Sequence, residues 1–325
     1  MKRAVAVIYG GRSGEHEVSV RSARSILEAI DRSRYDVLEF YITPGGRWRP
    51  RPILPEPGAN DGIDVVFPVL HGTFGEDGTL QGLLELAELP YVGAGVLASA
   101  AGMDKDITKR LCREAGLPVV DHIIQWRGRL DASEPEARFG YPMFVKPANL
   151  GSSVGISKAH DRVGLERALE LAAEYDRKVI VERAVEGREF ECSVLGNDEP
   201  EAATPCEIIP SREFYDYDDK YVLNETEFRL PAELEPARLE EVRRLSVHAY
   251  RAVACEGMAR VDFLLDGANG ALFVNEINTI PGFTSISMFP KMWEHAGVPY
   301  RELIHRLIEL ALERHTARKG TRFSR

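Results

Sequence analysis

Through the first hundred residues, short apolar runs alternate with helix-period stretches, and this alternation constrains the fold more than any single motif. Ala4–Tyr9 has the pattern of a buried strand, Ser19–Ile30 that of a helix and Val37–Ile42 that of a second strand. After the Pro-rich loop Pro50–Pro57, Val65–Leu70 forms a third strand pattern and Leu80–Glu88 another helix. Strands separated by helices pair in parallel, because each helix returns the chain to the end where it started. The expectation is an open α/β layer that receives ligands in the loops following its strands.

The pattern changes near Met103. Lys105–Ala115 is expected to be a helix, stopped by Gly116 and Pro118. Tyr141–Lys146, Gly155–Lys158 and Lys178–Glu182 are expected strands around the helix Val163–Ala173, whose Leu165, Ala168, Leu169 and Ala172 share one face. These elements make a small α+β unit. A third region holds a strand at Glu189–Leu195, a polar loop at Ser211–Asn224 and a long helix within Glu235–Ala254. A hairpin of Ala259–Leu265 and Ala271–Asn278 follows, and the helix Tyr300–Arg314 comes last before a basic tail.

The length of 325 residues suits two or three domains. A net charge of −10 argues against general attraction to nucleic acid or an anionic membrane, so an anionic ligand needs a local cluster of cations. The four cysteines (Cys112, Cys192, Cys206, Cys255) include no CxxC pair, which favours buried thiols in a reducing compartment over zinc or disulfides. The N-terminal apolar run is too short for a signal-peptide core, and no segment approaches membrane-spanning length. A cytoplasmic protein is the expectation.

The hairpin carries the strongest chemical signal. Residues two apart on a strand share a face, so Arg260 and Asp262 point one way, as do Glu276 and Asn278. Paired strands would bring these four groups together, with Val261, Phe263, Phe273 and Ile277 on the opposite face. Two carboxylates and an amide oxygen are hard ligands suited to Mg²⁺ on ATP phosphates. The plainer alternative is a solvated sheet face with a surface ion pair.

Four loops add to it. Asn149–Gly155 is a Gly/Ser turn after Phe144-Val145-Lys146-Pro147; its backbone N–H groups could cradle an anion that Lys146 also reaches, or it is an ordinary turn. It lacks the GxxxxGK[ST] spacing of a Walker loop. Gly10–Glu15 sits at a strand–helix crevice, where Glu15 suits an ammonium or serves as a first-turn helix acid. His71–Gly78 lies at the same end of the layer. Phe214–Tyr221 could close over a site, or is a surface loop. Gly93–Ala98 matches GxGxxG/A, but no strand-ending acid follows about 20 residues on, so a tight turn is the better reading.

GGRSGEHEVSV, HGTFGEDGTLQG, MDK, FVKPANLGSSVGISK, FYDYDDKY, ARVDFLLD and NEINTIPGFTS occur in this order from Gly10 to about Pro290. Together they resemble the D-alanine–D-alanine ligases of the ATP-grasp superfamily. The resemblance implies a mixed α/β and α+β fold. A Rossmann-like N-terminal α/β domain would span 1–102, and two ATP-grasp subdomains, 103–184 and 185–325, would clamp the nucleotide.

Carried over position by position, the resemblance implies that Lys105 and Lys146 contact ATP phosphates. Adenine would meet the backbone of Glu182, Arg183 and Val185 and the ring of Phe214, and Glu189 would hold the ribose. Asp262, Glu276 and Asn278 would hold two Mg²⁺ ions, with Mn²⁺ a substitute. Glu15 would bind the ammonium of the first D-alanine, with Ser152 and Tyr221 tied to it, and His71 would help orient that substrate. Lys220 would touch the γ-phosphate, Arg260 and the Gly282 backbone would stabilise an oxyanion, and Ser287 with the Met288 backbone would take the second carboxylate. An acyl phosphate intermediate and a homodimer are implied as well. Leu150 departs from members that carry Glu at this position, and Met288 stands where other side chains occur.

Other readings weigh less. A D-lactate- or D-serine-using relative stays within the class; the Lys220-Tyr221 pair and the lack of His in Ser211–Asn224 argue against the lactate version. A regulatory module that has lost catalysis would show damaged metal or phosphate ligands, and none is visible. A nicotinamide dehydrogenase would need the ribose-binding acid missing after Gly93–Ala98.

Overall fold

The computed structural model describes residues 2–151, 153–210, 226–284 and 287–322. In the N-terminal layer, β1 (Arg3–Gly10) pairs in parallel with β2 (Tyr35–Ile42) and β4 (Val65–Pro68), and the short β3 (Trp48–Arg49) closes one edge. Between β1 and β2 runs α1 (His16–Ala29), which buries Val18, Ala23 and Ile26. Because β1 and β4 are parallel neighbours, the loops after them open on the same side. Ser13 Oγ donates to the His71 carbonyl at 2.6 Å, joining those two loops directly. α2 (Thr79–Leu86) and α3 (Val96–Met103) complete the layer, so the Gly93–Ala98 turn runs into a short helix.

A second sheet has the order β5-β8-β6-β7, formed by His122–Trp126, Lys178–Arg183, Met143–Pro147 and Ser157–Ala159. α6 (Arg162–Tyr175) covers it, with Leu165, Ala168, Leu169 and Ala172 buried as the 3.6-residue period demands. Asp161 caps this helix by accepting from the Gly164 N–H at 2.7 Å. The short α5 (Ser133–Phe139) lies beside β8.

The third sheet runs β12-β11-β9-β13-β14, from Glu227–Arg229, Cys206–Ile209, Gly187–Gly196, Gly257–Asp266 and Leu272–Asn278, with β10 (Glu201–Ala202) also on β9. One face packs on α7 (Pro236–Ala252), and Cys112 of α4 (Lys105–Glu114) joins that same core. On the other face, β9 and β13 share a continuous core with the N-terminal layer, α8 (Met288–His295) and α9 (Tyr300–Lys319). The first and third sheets are therefore locked together through apolar contact. Arg314, buried in α9, strengthens the junction by donating to the carbonyls of Gly93 and Tyr91. All four cysteines are free and buried. No described helix is long and apolar enough to cross a membrane.

One sequence expectation needs correction. The hairpin register pairs Arg260 with Asn278 and Asp262 with Glu276, but then Phe263 pairs with Val274. Asn275 is therefore the extra residue of a β-bulge, and a bulge reverses the alternation beyond it. Val274 and Leu272 join the buried core in place of Phe273. Phe273 turns to the other face, where the Arg183 guanidinium lies 5.7 Å from its ring centre.

Candidate active site

A cavity of about 410 Å³ opens where the three sheets meet. Glu15 and His71 border it from the N-terminal layer. Lys105 comes from the start of α4, and Arg260, Glu276 and Asn278 come from the hairpin. Gly282, Ser287 and Met288 close the far side. Residues far apart in sequence thus converge on one space.

Glu15 immediately precedes α1 but makes no side-chain cap to the helix. Its carboxylate is packed instead against two glycines. A Cβ on Gly72, which has φ +70°, would lie 2.4 Å from Glu15 Oε2, and one on Gly151 would lie 3.2 Å from it. At Gly72 the left-handed φ and the contact together call for glycine, and at Gly151 a side chain would make the carboxylate give by a few tenths of an ångström. Ser152, the next residue, lies outside the described residues, as do Phe214, Lys220 and Tyr221.

His71 is buried, with Nε2 3.1 Å from Ser22 Oγ and Nδ1 3.3 Å from Glu76 Oε1. Burial pulls the imidazole pKa down, but the Glu76 and Glu15 carboxylates outweigh it, and the net shift is upward. Burial also raises Glu76. Glu76 has a direct part at this site that its sequence context alone did not suggest. Ser22 also receives the Phe283 N–H at 3.4 Å, so one hydroxyl joins His71 to the Gly282 loop.

On β13, Arg260 grips Asp262 at two points: Nε to Oδ1 and Nη2 to Oδ2, both 2.7 Å. Glu191, which pairs with Asp262 across β9 and β13, adds a contact at 3.3 Å to Arg260 Nε. Burial lowers the guanidinium pKa, but Asp262 and Glu191 more than reverse that. Glu191 also borders the cavity; its i, i+2 relation to Glu189 was a signal that sequence reasoning did not use.

Lys105 Nζ donates to the Leu150 carbonyl at 2.8 Å and lies 3.5 Å from Glu276 Oε2. Leu150 thus acts through its backbone, whatever its side chain. Asn278 Oδ1 is buried with no hydrogen-bond partner among the described residues. A buried oxygen left so is an acceptor that a hard cation could satisfy. Among the described residues, no group of three or more His, Cys, Asp and Glu side chains is placed to hold a metal. Asp262, Glu276 and Asn278 offer two carboxylates and one amide, donor types that suit magnesium, and both Asp262 oxygens are here engaged by Arg260.

Lys146, Glu182, Arg183, Val185 and Glu189 are not among the residues that line this cavity, and neither is Asp262. Lys146, near the end of β6, is 2.7 Å from Glu182 Oε2 on β8, and burial of its ammonium is offset by that carboxylate. Burial would raise Glu182, but Lys109 and Lys146 bring it down to about 2. Its side chain therefore fixes lysines, where the sequence reading assigned it only a backbone contact. Arg183 reaches Asp266 at 3.4 Å, and Val185 is half-buried on the link from β8 to β9. Glu189 faces Leu264 across β9 and β13.

Ser287 precedes α8, and its Oγ lies 2.8 Å from Thr284 Oγ1 and receives the Thr284 N–H at 3.0 Å. The helix start behind it offers backbone N–H groups to an anion. Met288 lies with its sulfur 3.5 Å from Cys206 Sγ and leaves one edge on the cavity.

Known proteins resemble this chain in sequence and fold. Sequence models of two regions match: "D-ala D-ala ligase N-terminus" over residues 4–62 and 52–94, and "D-ala D-ala ligase C-terminus" over residues 111–309. A D-alanine–D-alanine ligase of Solibacter usitatus is 63% identical over 325 residues, covering 100% of both chains. One from Thermoanaerobacter sp. is 49% identical, covering 97% of this chain and 98% of its own. The solved D-alanine–D-alanine ligase of Coxiella burnetii superposes with a TM-score of 0.89 at 38% identity, covering 98% of this chain and 96% of its own. The VanG D-Ala:D-Ser ligase of Enterococcus faecalis gives 0.88 at 36%, covering 96% and 100%. The chain is a ligase and belongs to the D-alanine–D-alanine ligase family.

Proposed function

We propose that this protein joins two D-alanine molecules at the expense of ATP, giving D-alanyl-D-alanine, ADP and phosphate for peptidoglycan precursors. The observation that carries the reading is that one cavity gathers the carboxylate of Glu15 from the N-terminal layer with Lys105, Arg260, Glu276 and Asn278 from the opposite side. Glu15 suits an amino acid's ammonium, and Lys105 and Arg260 suit its activated carboxylate.

In the first step, a carboxylate oxygen of the first D-alanine attacks the γ-phosphorus. The bond to the β,γ-bridging oxygen breaks, and ADP leaves with its electron pair. Glu15 orients the substrate by its ammonium, and His71 supports it. Lys105 and Lys146 offset charge on the phosphates, as does Lys220 by family likeness. Asp262, Glu276 and Asn278 would hold two Mg²⁺ ions, which would supply further charge neutralisation on the phosphates. Adenine and ribose are assigned to Glu182, Arg183, Val185, Phe214 and Glu189.

In the second step, the amine of the other D-alanine attacks the acyl carbon and loses a proton, and phosphate departs. Arg260 and the Gly282 backbone face the tetrahedral oxyanion, where fixed donors act most strongly. The start of α8, at Ser287 and Met288, takes the second carboxylate. By family likeness, Ser152 and Tyr221 are assigned to hydrogen-bond with Glu15.

Likeness to a D-Ala:D-Ser ligase keeps D-serine as the rival second substrate. The test is phosphate release by purified protein with ATP and Mg²⁺. The proposal expects release that requires D-alanine, with D-alanyl-D-alanine exceeding D-alanyl-D-serine when both amino acids are supplied. Release independent of D-alanine would overturn it. The homodimer belongs to the same proposal, and a single-chain mass by light scattering would count against it.

A further inference from the structure

Lys109 has no place in the chemistry described above, yet it is among the most deeply buried side chains, at 1% exposure. It lies one turn after Lys105 on α4, so the two lysines share a helix face. Its ammonium is 2.9 Å from Glu182 Oε1 and donates to the Asn275 carbonyl at 3.1 Å. Those partners belong to different sheets. Glu182 is in β8 of the central sheet, and its other oxygen holds Lys146 at 2.7 Å. Asn275 is the bulge residue of β14, immediately before Glu276.

α4 is itself fixed to the central sheet. Asp104 caps the helix by accepting from the Asp106 and Ile107 N–H groups, and Lys178 binds both oxygens of Asp104 at 3.0 Å. Asp106 is buried with Lys178 and His122. The helix therefore has little freedom to carry Lys109 elsewhere.

We propose that Lys109 is a positioning residue for nucleotide and metal, bracing the Lys146 side of the cleft against the bulge that aims Glu276. Two consequences follow from the contacts. Glu182 shares its charge between two lysines, so without Lys109 it would draw Lys146 more strongly and hold it back from a phosphate. The carbonyl of Asn275, the bulge residue, accepts from a buried cation, and this fixes the direction of the next side chain. The inference rests on the ATP–Mg²⁺ reading of the site.

The test measures kinetic constants of Lys109→Met beside the unaltered protein. Saturable dependence of the unaltered protein on ATP and Mg²⁺ is the control; without it the functional reading fails, whatever the variant does. The expected result is at least a fivefold rise in the KM for ATP and in the Mg²⁺ concentration for half-maximal rate. The KM for the first D-alanine, bound near Glu15, should move less than twofold. A fall in thermal midpoint with all three constants unchanged would make Lys109 a packing residue and overturn the proposal.

If Lys109→Met does not fold, Lys109→Met/Glu182→Gln leaves no unpaired buried carboxylate and is compared with Glu182→Gln alone. The proposal expects the double variant to need more Mg²⁺, because its Asn275 contact is also lost. Equal Mg²⁺ dependence, or failure of the double variant to fold, overturns it.

Discussion

Arg260 and Asp262, two residues apart on β13, form a two-point ion pair with both contacts at 2.7 Å. The group proposed to face the oxyanion thus fixes a group proposed to hold metal. A lysine cannot reproduce the fork geometry. Arg260→Lys should lower kcat by roughly 10²–10³-fold, the cost of losing a fixed oxyanion donor. It should also weaken the Mg²⁺ response, because Asp262 is left loosely held. Unchanged Mg²⁺ half-saturation in steady-state assays would separate the two roles.

Glu276→Gln keeps the shape of the side chain and removes its charge. Turnover should fall roughly a hundredfold or more, since even residues supporting a metal ligand cost 10–100-fold. The circular dichroism spectrum should be unchanged. Near-normal activity in that variant would sink the metal assignment.

Gly72→Ala should act on the first substrate. Its left-handed φ would cost alanine about 1–2 kcal/mol, and the new methyl would displace the Glu15 carboxylate. The KM for the first D-alanine should rise more than tenfold while the KM for ATP stays within about twofold. These constants are separable by varying one substrate at a time.

Glu182 makes stability depend on acid. Its pKa falls from the ordinary 4.5 to about 2 in the folded protein. A depressed carboxylate contributes stability that is complete above the unfolded value and lost as pH drops through the folded one. The denaturant midpoint of Glu182→Gln should therefore lie well below that of the unaltered protein at pH 6. The gap should narrow between about pH 4.5 and pH 2. A gap that stays constant from pH 6 to pH 3 would contradict this ion-pair account.

Elements with a clean period were legible in the sequence. β1, α6 and the β13–β14 hairpin lie within a few residues of where alternation places them. Short or irregular elements were not. β5 is five residues of mixed character, α5 contains Pro135, and α8 carries Pro290 in its first turn. None of these has enough residues of one period to stand out.

The site was legible where loops of unusual composition follow strands, as at Glu15 and His71. It was also legible where polar residues alternate on the hairpin. What alternation could not reveal is the bulge at Asn275, because a single skipped residue leaves no compositional trace and yet exchanges the positions of Phe273 and Val274. Glu191, Lys109 and the side-chain role of Glu182 were obscured for another reason. Each is an ordinary charged residue in the sequence and becomes distinctive only when burial forces charges from separate elements together.

The central claim is that ATP activates the carboxylate of the first D-alanine, and oxygen transfer tests it most directly. D-Alanine labelled with ¹⁸O in both carboxylate oxygens is incubated with the protein, ATP and Mg²⁺, and the released phosphate and dipeptide are analysed by mass spectrometry. The account predicts one ¹⁸O atom in each phosphate, matched by one molecule of D-alanyl-D-alanine. Unlabelled phosphate would mean that water, not the amino acid, attacks ATP, and would contradict it.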